Sequence, residues 1–183
     1  MGLKSFANTR FGNIIMNILA SIMESRLRYR FFGPDRILAG SGILPGKSVL
    51  EIGCGTGFFT IPAAKLIGYN GSLIALDILP GSVSLVTRKV KDAGLTNVTV
   101  IEADALNTEL DAGKFDIVLL FGVIPSPTMP YPKLFAEMHR VLKDDGILAV
   151  WPPIPKFLPG VVTQSGLFEA IEKRNSVWSF RKK

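Results

Sequence analysis

The chain has 183 residues, of which 48% are hydrophobic, and it carries a formal net charge of +6 at pH 7. This length fits one domain with a single core, and no run reaches the ~18 apolar residues that a membrane-spanning helix needs. The first residues lack the apolar core and cleavage site of a secretory signal, so we expect a cytoplasmic protein. One cysteine, Cys54, and one histidine, His139, exclude an intrachain disulfide and are too few for a Cys/His zinc site. We therefore expect no metal.

Residues 11–28 predict an amphipathic helix, because apolar residues recur there every three or four positions while asparagine and serine fill the other face. We favour packing of this helix over the domain, as a structural cover or a lid on the site. A dimer interface and a peripheral membrane contact through residues 11–30 are the alternatives. Arg26, Arg28 and Arg30 suit an anionic substrate or surface, although a solvated basic face explains them equally well. We assign residues 1–46 to this helical cap segment.

Five short apolar runs after residue 47 predict buried strands, since they are rich in Val, Ile and Leu and are bounded by Gly, Asp or Asn. They cover residues 48–53, 72–77, 98–104, 115–122 and 146–151. Helix-like stretches lie between them at 57–68, 80–93 and 130–142, with a weaker one at 105–112. The runs show little alternation, as expected for parallel strands that are buried on both faces. Strands that alternate with helices in this way indicate an α/β fold.

The last sixteen residues, 168–183, read as two further strands joined at Asn175-Ser176. Such a hairpin would add an antiparallel edge to the parallel strands. The sequence therefore predicts a mostly parallel, seven-stranded sheet with an antiparallel terminal hairpin.

Three glycines follow the first predicted strand at every second position, Gly53, Gly55 and Gly57, with Glu51 two residues ahead. Glycine is needed where a backbone turns sharply or approaches a ligand closely, and ligands of open parallel sheets lie beyond the carboxyl ends of the strands. A dinucleotide would bring a pyrophosphate and favours Gly-x-Gly-x-x-Gly spacing. Because a carboxylate would repel a pyrophosphate, Glu51 favours a ligand with ammonium and sulfonium charge.

These motifs resemble those of class I S-adenosylmethionine-dependent methyltransferases: Glu-x-Gly-x-Gly-x-Gly at 51–57, then an acid at the end of each of the next two strands. The resemblance covers residues 48 to about 151 and extends into the terminal hairpin. Residues 137–150 are most similar to the Arg-Val-Leu-Lys-Pro-Gly-Gly stretch of the ubiquinone/menaquinone-biosynthesis-type branch. The resemblance implies a Rossmann-like fold, a methyltransferase domain over residues 47–183, and S-adenosylmethionine as cofactor with S-adenosylhomocysteine as product.

The resemblance also implies a set of residues that bind the cofactor. They are Glu51, Gly53, Cys54, Gly55, Thr56, Gly57, Asp77, Ile78, Asp104, Ala105, Phe121 and Gly122. Asp77 would accept the ribose hydroxyls and Asp104 would face the adenine amino group, beside a backbone contact from Ala105. Helix capping is the structural alternative for both acids. Glu51 would orient the amino-acid moiety, and Ile78 would pack on the adenine or in the core.

The residues expected around the methyl acceptor are mostly apolar: Ile124, Pro125 and Trp151. They predict a small, hydrophobic or aromatic acceptor, methylated by in-line displacement. No general base is identified; His139 lies in the helix before the fifth predicted strand, at the end away from the ligand edge, so we expect it to be structural. Val123 and Ile124 stand where the related branch often has a polar residue, which argues against base catalysis from this loop.

Three other functions fit parts of the sequence. An RNA or protein methyltransferase would suit the basic charge, but basic and aromatic residues are not interleaved as nucleic-acid binding would require. A non-catalytic S-adenosylmethionine-binding protein would explain the missing base. A nicotinamide oxidoreductase would need a pyrophosphate beside Glu51. Homo-oligomerisation is compatible with all of these readings.

Overall fold

The computed structural model describes residues 33–126, 129–152 and 160–183. The predicted helix at 11–28, with Arg26, Arg28 and Arg30, lies outside the described residues. The helices are α1 (Pro34–Leu38), α2 (Thr60–Ile67), α3 (Pro80–Asp92), α4 (Tyr131–Val141) and α5 (Gly160–Gln164). The strands are β1 (Ser48–Ile52), β2 (Ser72–Asp77), β3 (Val98–Glu102), β4 (Phe115–Phe121), β5 (Leu142–Trp151), β6 (Phe168–Arg174) and β7 (Val177–Lys182).

The seven strands form one sheet in the order β3-β2-β1-β4-β5-β7-β6. Strands β1 to β5 pair in parallel, and β7 pairs antiparallel with both β5 and β6. The predicted α/β fold with an antiparallel terminal hairpin is therefore confirmed. From β1 the chain proceeds to one side of the sheet, and from β4 it proceeds to the other. The switch point, where ligands of such sheets bind, lies between the carboxyl ends of β1 and β4.

Two layers of apolar side chains cover the faces of the sheet. On one face α1 and α2 pack in a cluster that includes Ile37, Leu38 and Ile67. On the other face α4 and α5 pack in a cluster that includes Phe135 and Val162. Because α1 contributes to this core, the described part of the predicted cap segment, 33–46, packs with the domain; the boundary at residue 46 stays a prediction.

The predicted helix at 105–112 is wrong, because this segment consists of turns and extended backbone. The side-chain carboxylate of Asp104 accepts a hydrogen bond from the backbone N–H of Leu106, at 2.9 Å. The backbone carbonyl of Asp104 accepts one from the N–H of Asn107, at 3.0 Å. Glu109 then has a φ of +59°, which lies outside the right-handed helical region. Local side-chain hydrogen bonds of this kind compete with helix formation.

Two predicted boundaries also differ. The helix expected from residue 57 begins at Thr60, because Gly57 has a φ of +80° that no right-handed helix accommodates. Strand β5 begins at Leu142 rather than Gly146. Its first residue pairs with Phe115, and the register then shifts so that Ile147 pairs with Ile117. A bulge of this kind extends a strand past residues that propensity alone assigns to a turn.

Candidate functional site

The glycine loop follows β1 at the switch point of the sheet. Gly53, Gly55 and Gly57 have φ angles of +72°, +53° and +80°, in the left-handed region that glycine adopts without a Cβ clash. The backbone N–H groups of Gly53 and Cys54 both donate to the carbonyl of Leu76, at 2.8 and 3.0 Å. The end of β2 therefore holds the start of the loop in place.

Two of these glycines also permit close packing. A Cβ at Gly53 would lie 3.1 Å from Cγ2 of Val123, in the loop after β4, and a Cβ at Gly57 would lie 3.4 Å from Cγ2 of Val86 on α3. At Gly55 the nearest atom to a Cβ would be a loop carbonyl 3.9 Å away. The loop thus approaches its neighbours at both ends and leaves space in the middle.

Asp77, the last residue of β2, is 7% exposed. Its Oδ2 accepts the N–H of Gly55 at 2.8 Å, and its Oδ1 accepts the N–H of Leu79 at 3.0 Å. The carboxylate therefore fixes both the glycine loop and the entry to α3, although the N-cap of α3 is Leu79 and has no side-chain capping hydrogen bond. A carboxylate has about four lone-pair sites, so each oxygen keeps one site for a ligand hydroxyl.

Glu51 is 2% exposed, and its Oε2 accepts a hydrogen bond of 2.6 Å from the hydroxyl of Thr60, the first residue of α2. Burial raises the pKa of Glu51 to about 8; the Thr60 hydrogen bond opposes this shift and the nearby charge of Asp77 adds to it. At pH 7 and without a ligand, Glu51 is therefore mainly a neutral acid. A cation beside Glu51 would favour its ionised form.

Cys54 and Thr56 occupy the positions between the glycines. Burial raises the pKa of the Cys54 thiol, and Glu51 and Asp77 raise it further, so Cys54 is neither a thiolate nor a nucleophile. Thr56 is 7% exposed, and its hydroxyl oxygen is buried with no hydrogen-bond partner. Its carbonyl accepts a 3.0 Å hydrogen bond from Nζ of Lys89 on α3. No pattern in the sequence indicated this contact of Lys89.

The predicted adenine contacts lie beyond the ends of β2 and β3. Asp104 is exposed, and its described hydrogen bonds are those within its own turn. Ile78 and Ala105 are half-buried, and Ala105 packs against the core cluster of the α4 face. The N–H of Ala103 donates to the carbonyl of Asp77 at 3.1 Å, which joins the two strand ends. Asp104 thus lies at the same edge as Asp77, on its outer side.

An aromatic cluster lies on the α2 face at the same edge. The ring of Phe59 is 5.0 Å from Phe121 and 5.6 Å from Trp151, and Phe58 contacts Phe59 at 4.9 Å, all between centroids. Phe121 on β4 pairs in register with Trp151 on β5. Glu51 on β1 pairs with Leu119 on β4, so Phe121 lies two residues closer than Leu119 to the carboxyl end of β4. Phe58 and Phe59 were not predicted as site residues, although their position directly after the glycine loop was a usable signal.

The loop after β4 brings the remaining predicted residues to this edge. Gly122 is exposed and donates its N–H to the carbonyl of Trp151 at 2.9 Å. Pro125 is half-buried, whereas Ile124 is fully buried in the core cluster of the α4 face. His139 lies at the opposite end of the domain, where its Nε2 is 3.1 Å from the carbonyl of Lys183.

A glycine loop at the switch point, followed by acidic strand ends, defines an α/β domain that binds a nucleoside-containing ligand at its carboxyl edge. A family model described as "Methyltransferase domain" matches residues 49–146. This match covers more than half of the chain. The chain therefore belongs to the methyltransferase domain family.

Relatives and solved structures agree with this family. The chain is 30% identical to nocamycin O-methyltransferase of Saccharothrix syringae over 78% of this chain and 51% of the relative. It is 30% identical to demethylmenaquinone methyltransferase of Staphylococcus saprophyticus over 62% of this chain and 47% of the relative. A crystal structure of a SAM-dependent methyltransferase from Aquifex aeolicus superposes with a TM-score of 0.78 at 20% identity, over 88% of this chain and 96% of that one. The chain spans about half the length of these curated relatives, and the structural likeness concerns the fold.

The chain thus contains a methyltransferase domain, and its site fits S-adenosylmethionine as the cofactor. The glycine loop leaves open space at Gly55, Thr56 has a buried hydroxyl without a partner, and two acids lie beside the loop. Asp77 suits free ribose hydroxyls, and Glu51 in its ionised form suits an ammonium group. In the described residues, no helix is long and apolar enough to cross a membrane.

Proposed function

We propose that this protein transfers a methyl group from S-adenosylmethionine to a small, hydrophobic or aromatic acceptor. The observation that carries this proposal is the aromatic cluster of Phe59, Phe121 and Trp151 at the carboxyl edge, beside the glycine loop. These rings are buried against one another, and Trp151 keeps 9% of its surface exposed. Edge-to-face packing between aromatic rings is favourable, so an aromatic acceptor would contact the exposed part of the cluster. The names of the relatives, a nocamycin O-methyltransferase and demethylmenaquinone methyltransferases, also favour a small-molecule acceptor.

We assign the cofactor contacts to residues of the glycine loop and the strand ends. The free lone pairs of Asp77 would accept the ribose hydroxyls, and Glu51 would pair with the ammonium group once its own proton has left. The unpartnered hydroxyl of Thr56 is a further candidate contact. Asp104, Ala105 and Ile78 would surround the adenine, and Gly122 would lie near the methionine end.

The protein's part in the reaction would be alignment of the acceptor and exclusion of water. When bound, the cofactor supplies an activated methyl group, so in-line placement can provide much of the acceleration. The described residues that follow β4, at 122–126, include no carboxylate, imidazole or amine. Our proposal therefore has the acceptor lose its proton to water. A phenolic hydroxyl, with a pKa near 10, does so far more readily than an aliphatic alcohol, which favours an aromatic hydroxyl as the acceptor.

The test is methyl transfer from labelled S-adenosylmethionine to a panel of acceptors. The panel contains catechol, 1,4-naphthohydroquinone, polar amines, total RNA and a protein mixture. We expect label on the aromatic hydroxyls, and less of it with Asp77→Asn than with Asp92→Asn, an exposed control on α3. Label on RNA or protein alone would contradict the proposed acceptor class. Tight binding of S-adenosylhomocysteine with no label on any acceptor would favour a non-catalytic binding protein.

A further inference from the structure

The loop after β4, residues 122–126, is fixed at its start by neighbouring elements. The N–H of Gly122 donates to the carbonyl of Trp151 at 2.9 Å, and Ile124 is fully buried in the core cluster of the α4 face. Cγ2 of Val123 lies 3.1 Å from the position that a Cβ would take on the first glycine of the glycine loop. The first part of this β4 loop therefore has a set position relative to both β5 and the glycine loop.

The end of the β4 loop is held by one side chain, Tyr131, the first residue of α4. Its hydroxyl accepts the N–H of Ser126 at 2.8 Å and donates to the carbonyl of Ser126 at 3.0 Å. One hydroxyl thus binds both backbone polar groups of a single residue. Because its one proton is donated to that carbonyl, Tyr131 acts on the backbone of the loop and is not placed as a proton acceptor.

The ring of Tyr131 is in turn fixed by the core. It stacks on Phe135, with the centroids 5.8 Å apart and the planes 12° from parallel, within the range that aromatic pairs prefer. Phe135 is 1% exposed and also contacts Phe168 edge-to-face, at 6.5 Å. The hydroxyl that binds Ser126 therefore belongs to a ring that the core keeps in one place.

The β4 loop borders the space that we assign to the methyl acceptor. It leaves the sheet directly after Phe121, which is part of the aromatic cluster with Trp151. Pro125, a predicted acceptor contact, is the residue before Ser126 and is half-buried. A misplacement of about 1 Å can lower the rate of an aligned reaction about 100-fold. The hydrogen bonds at Ser126 are therefore in a position to affect the rate without any contact to the reacting atoms.

We propose that Tyr131 is a positioning residue for methyl transfer, because its hydroxyl holds Ser126 and so sets the place of the β4 loop against which the acceptor is aligned. This inference rests on the proposed function and adds to it a residue outside the predicted site. Removal of the hydroxyl should disturb the acceptor side of the site. It should leave the cofactor side unchanged, since the glycine loop and the ends of β2 and β3 do not depend on this contact.

The test removes only the hydroxyl, in Tyr131→Phe, and measures methylation of catechol and 1,4-naphthohydroquinone. We expect kcat/KM for the methylated acceptor to fall at least tenfold, while KM for S-adenosylmethionine and the affinity for S-adenosylhomocysteine stay within twofold. A merely structural hydroxyl would lower the melting temperature and leave these kinetic constants unchanged below it. Tyr69→Phe, at a residue that is 95% exposed, is the matched control and should change none of these quantities.

Amide hydrogen exchange, followed by NMR, tests the contact in the backbone itself. In Tyr131→Phe the N–H of Ser126 loses its acceptor and should exchange at least tenfold faster than in the wild type. The amides of β1 should keep their wild-type rates, because the ring of Tyr131 and its stack on Phe135 remain. The same spectra show whether the variant is folded.

Three outcomes would overturn the inference: an unchanged kcat/KM in Tyr131→Phe, an equal loss in Tyr69→Phe, and a tenfold weaker binding of S-adenosylhomocysteine. The last would place the effect on the cofactor side. If the wild type methylates no acceptor, the proposed function fails. Calorimetric binding of catechol and 1,4-naphthohydroquinone, with S-adenosylhomocysteine present, then decides on Tyr131 alone. At least tenfold weaker binding in Tyr131→Phe supports its positioning role, and unchanged or absent binding rejects it.

Discussion

The hydroxyl of Thr60 donates to the carboxyl group of Glu51 across 2.6 Å, which joins the start of α2 to β1 beneath the glycine loop. This hydrogen bond is compatible with either protonation state of Glu51, because a hydroxyl can donate to a carboxylate or to a carboxyl oxygen. Burial nevertheless raises the pKa of Glu51 to about 8. The domain therefore holds, next to its cofactor site, an acid that has to be ionised before it can pair with a cation.

The first prediction concerns stability. The pKa of Glu51 is near its ordinary value of 4.5 in the unfolded chain, and burial raises it to about 8 in the folded protein. Between these values the folded state binds the extra proton, so the free energy of unfolding should fall as pH rises, by an amount on the order of a few kcal/mol. Glu51→Gln keeps an oxygen for Thr60 but cannot ionise. Its melting temperature relative to the wild type should therefore increase from pH 5 to pH 8, as measured by calorimetry.

Glu102→Gln, at the exposed end of β3, is the control for this experiment and should show no such trend. If Glu51→Gln were less stable than the wild type by the same margin at every pH, Glu51 would be ionised throughout, and the neutral acid described above would be wrong.

The second prediction concerns cofactor affinity. If Glu51 pairs with the ammonium group, its proton must be released on binding, so the affinity for S-adenosylhomocysteine should rise by up to about tenfold per pH unit below the free pKa. Titration calorimetry between pH 5.5 and 6.7 stays about one pH unit below the value at which an α-amino group titrates. Glu51→Gln should bind more weakly at pH 6.7 and show a flatter dependence. If the affinity depended on pH in the same way in both proteins, Glu51 would not pair with the ammonium group.

The third prediction concerns Asp77. Its two oxygens accept the N–H groups of Gly55 and Leu79, and we assign the remaining lone pairs to the ribose. Asp77→Ala should therefore weaken S-adenosylhomocysteine binding by at least tenfold, which corresponds to about 1.4 kcal/mol. It should also lower the free energy of unfolding by about 1 kcal/mol, because two half-buried N–H groups lose their acceptor.

The two effects of Asp77→Ala separate its roles. Calorimetry measures the affinity, and urea unfolding measures the stability, with Asp92→Ala as the exposed control. A loss of stability with unchanged affinity would leave Asp77 as a cap for the loop and α3, without a part in ligand binding.

The sheet was predictable from the sequence because its strands are short, continuous apolar runs between turn residues. The 105–112 segment was not predictable, because its conformation depends on contacts with distant residues: the N–H and hydroxyl of Thr108 both donate to Glu137 on α4, at 2.8 and 2.6 Å. The start of β5 was missed for a related reason, since pairing with Phe115 extends the strand through a register shift.

The positions of the site residues followed from their place at strand ends, but their chemical states did not. The motif indicated Glu51 and Asp77, whereas the raised pKa of Glu51 depends on its burial beneath α2. Phe59 joins Phe121 and Trp151 only because α2 begins three residues after the last glycine of the loop. That late start follows from the left-handed φ of Gly57, which periodicity in the sequence does not reveal.

The fourth prediction concerns Gly53. Its φ is +72°, and a Cβ there would lie 3.1 Å from Val123. Gly53→Ala should therefore lower stability by about 1 kcal/mol or more and weaken S-adenosylhomocysteine binding. Gly81→Ala in α3 is the matched control, because its Cβ would meet no atom within 4 Å. That control should raise stability by up to about 1 kcal/mol. If Gly53→Ala left the melting temperature unchanged or raised it, the loop would not depend on glycine at this position.

The fifth prediction concerns Glu137, which ties the segment before β4 to α4. Its carboxylate accepts hydrogen bonds from the N–H and the hydroxyl of Thr108. It also accepts hydrogen bonds from Nε and Nη2 of Arg140, at 2.8 and 2.7 Å. Hydrogen bonds from Arg140, with those from Thr108, lower its pKa to about 2 against the opposing effect of burial. The unfolded chain therefore binds the proton more readily than the folded protein. The stabilisation that ionised Glu137 gives the folded protein should be lost as pH falls from about 4.5 towards 2.

Glu137→Gln should reduce the free energy of unfolding at pH 7 by about 1.5–3 kcal/mol, the usual range for a hydrogen bond to a charged group. Urea unfolding at pH 7 and pH 3 measures the difference, which should shrink at the lower pH. Glu172→Gln, on the exposed face of β6, should change stability little at either pH. Because Glu137 lies outside the site at the carboxyl edge, S-adenosylhomocysteine affinity should stay within about twofold of the wild type. A larger loss of affinity would mean that the Thr108 segment positions the adenine contacts at Asp104 and Ala105.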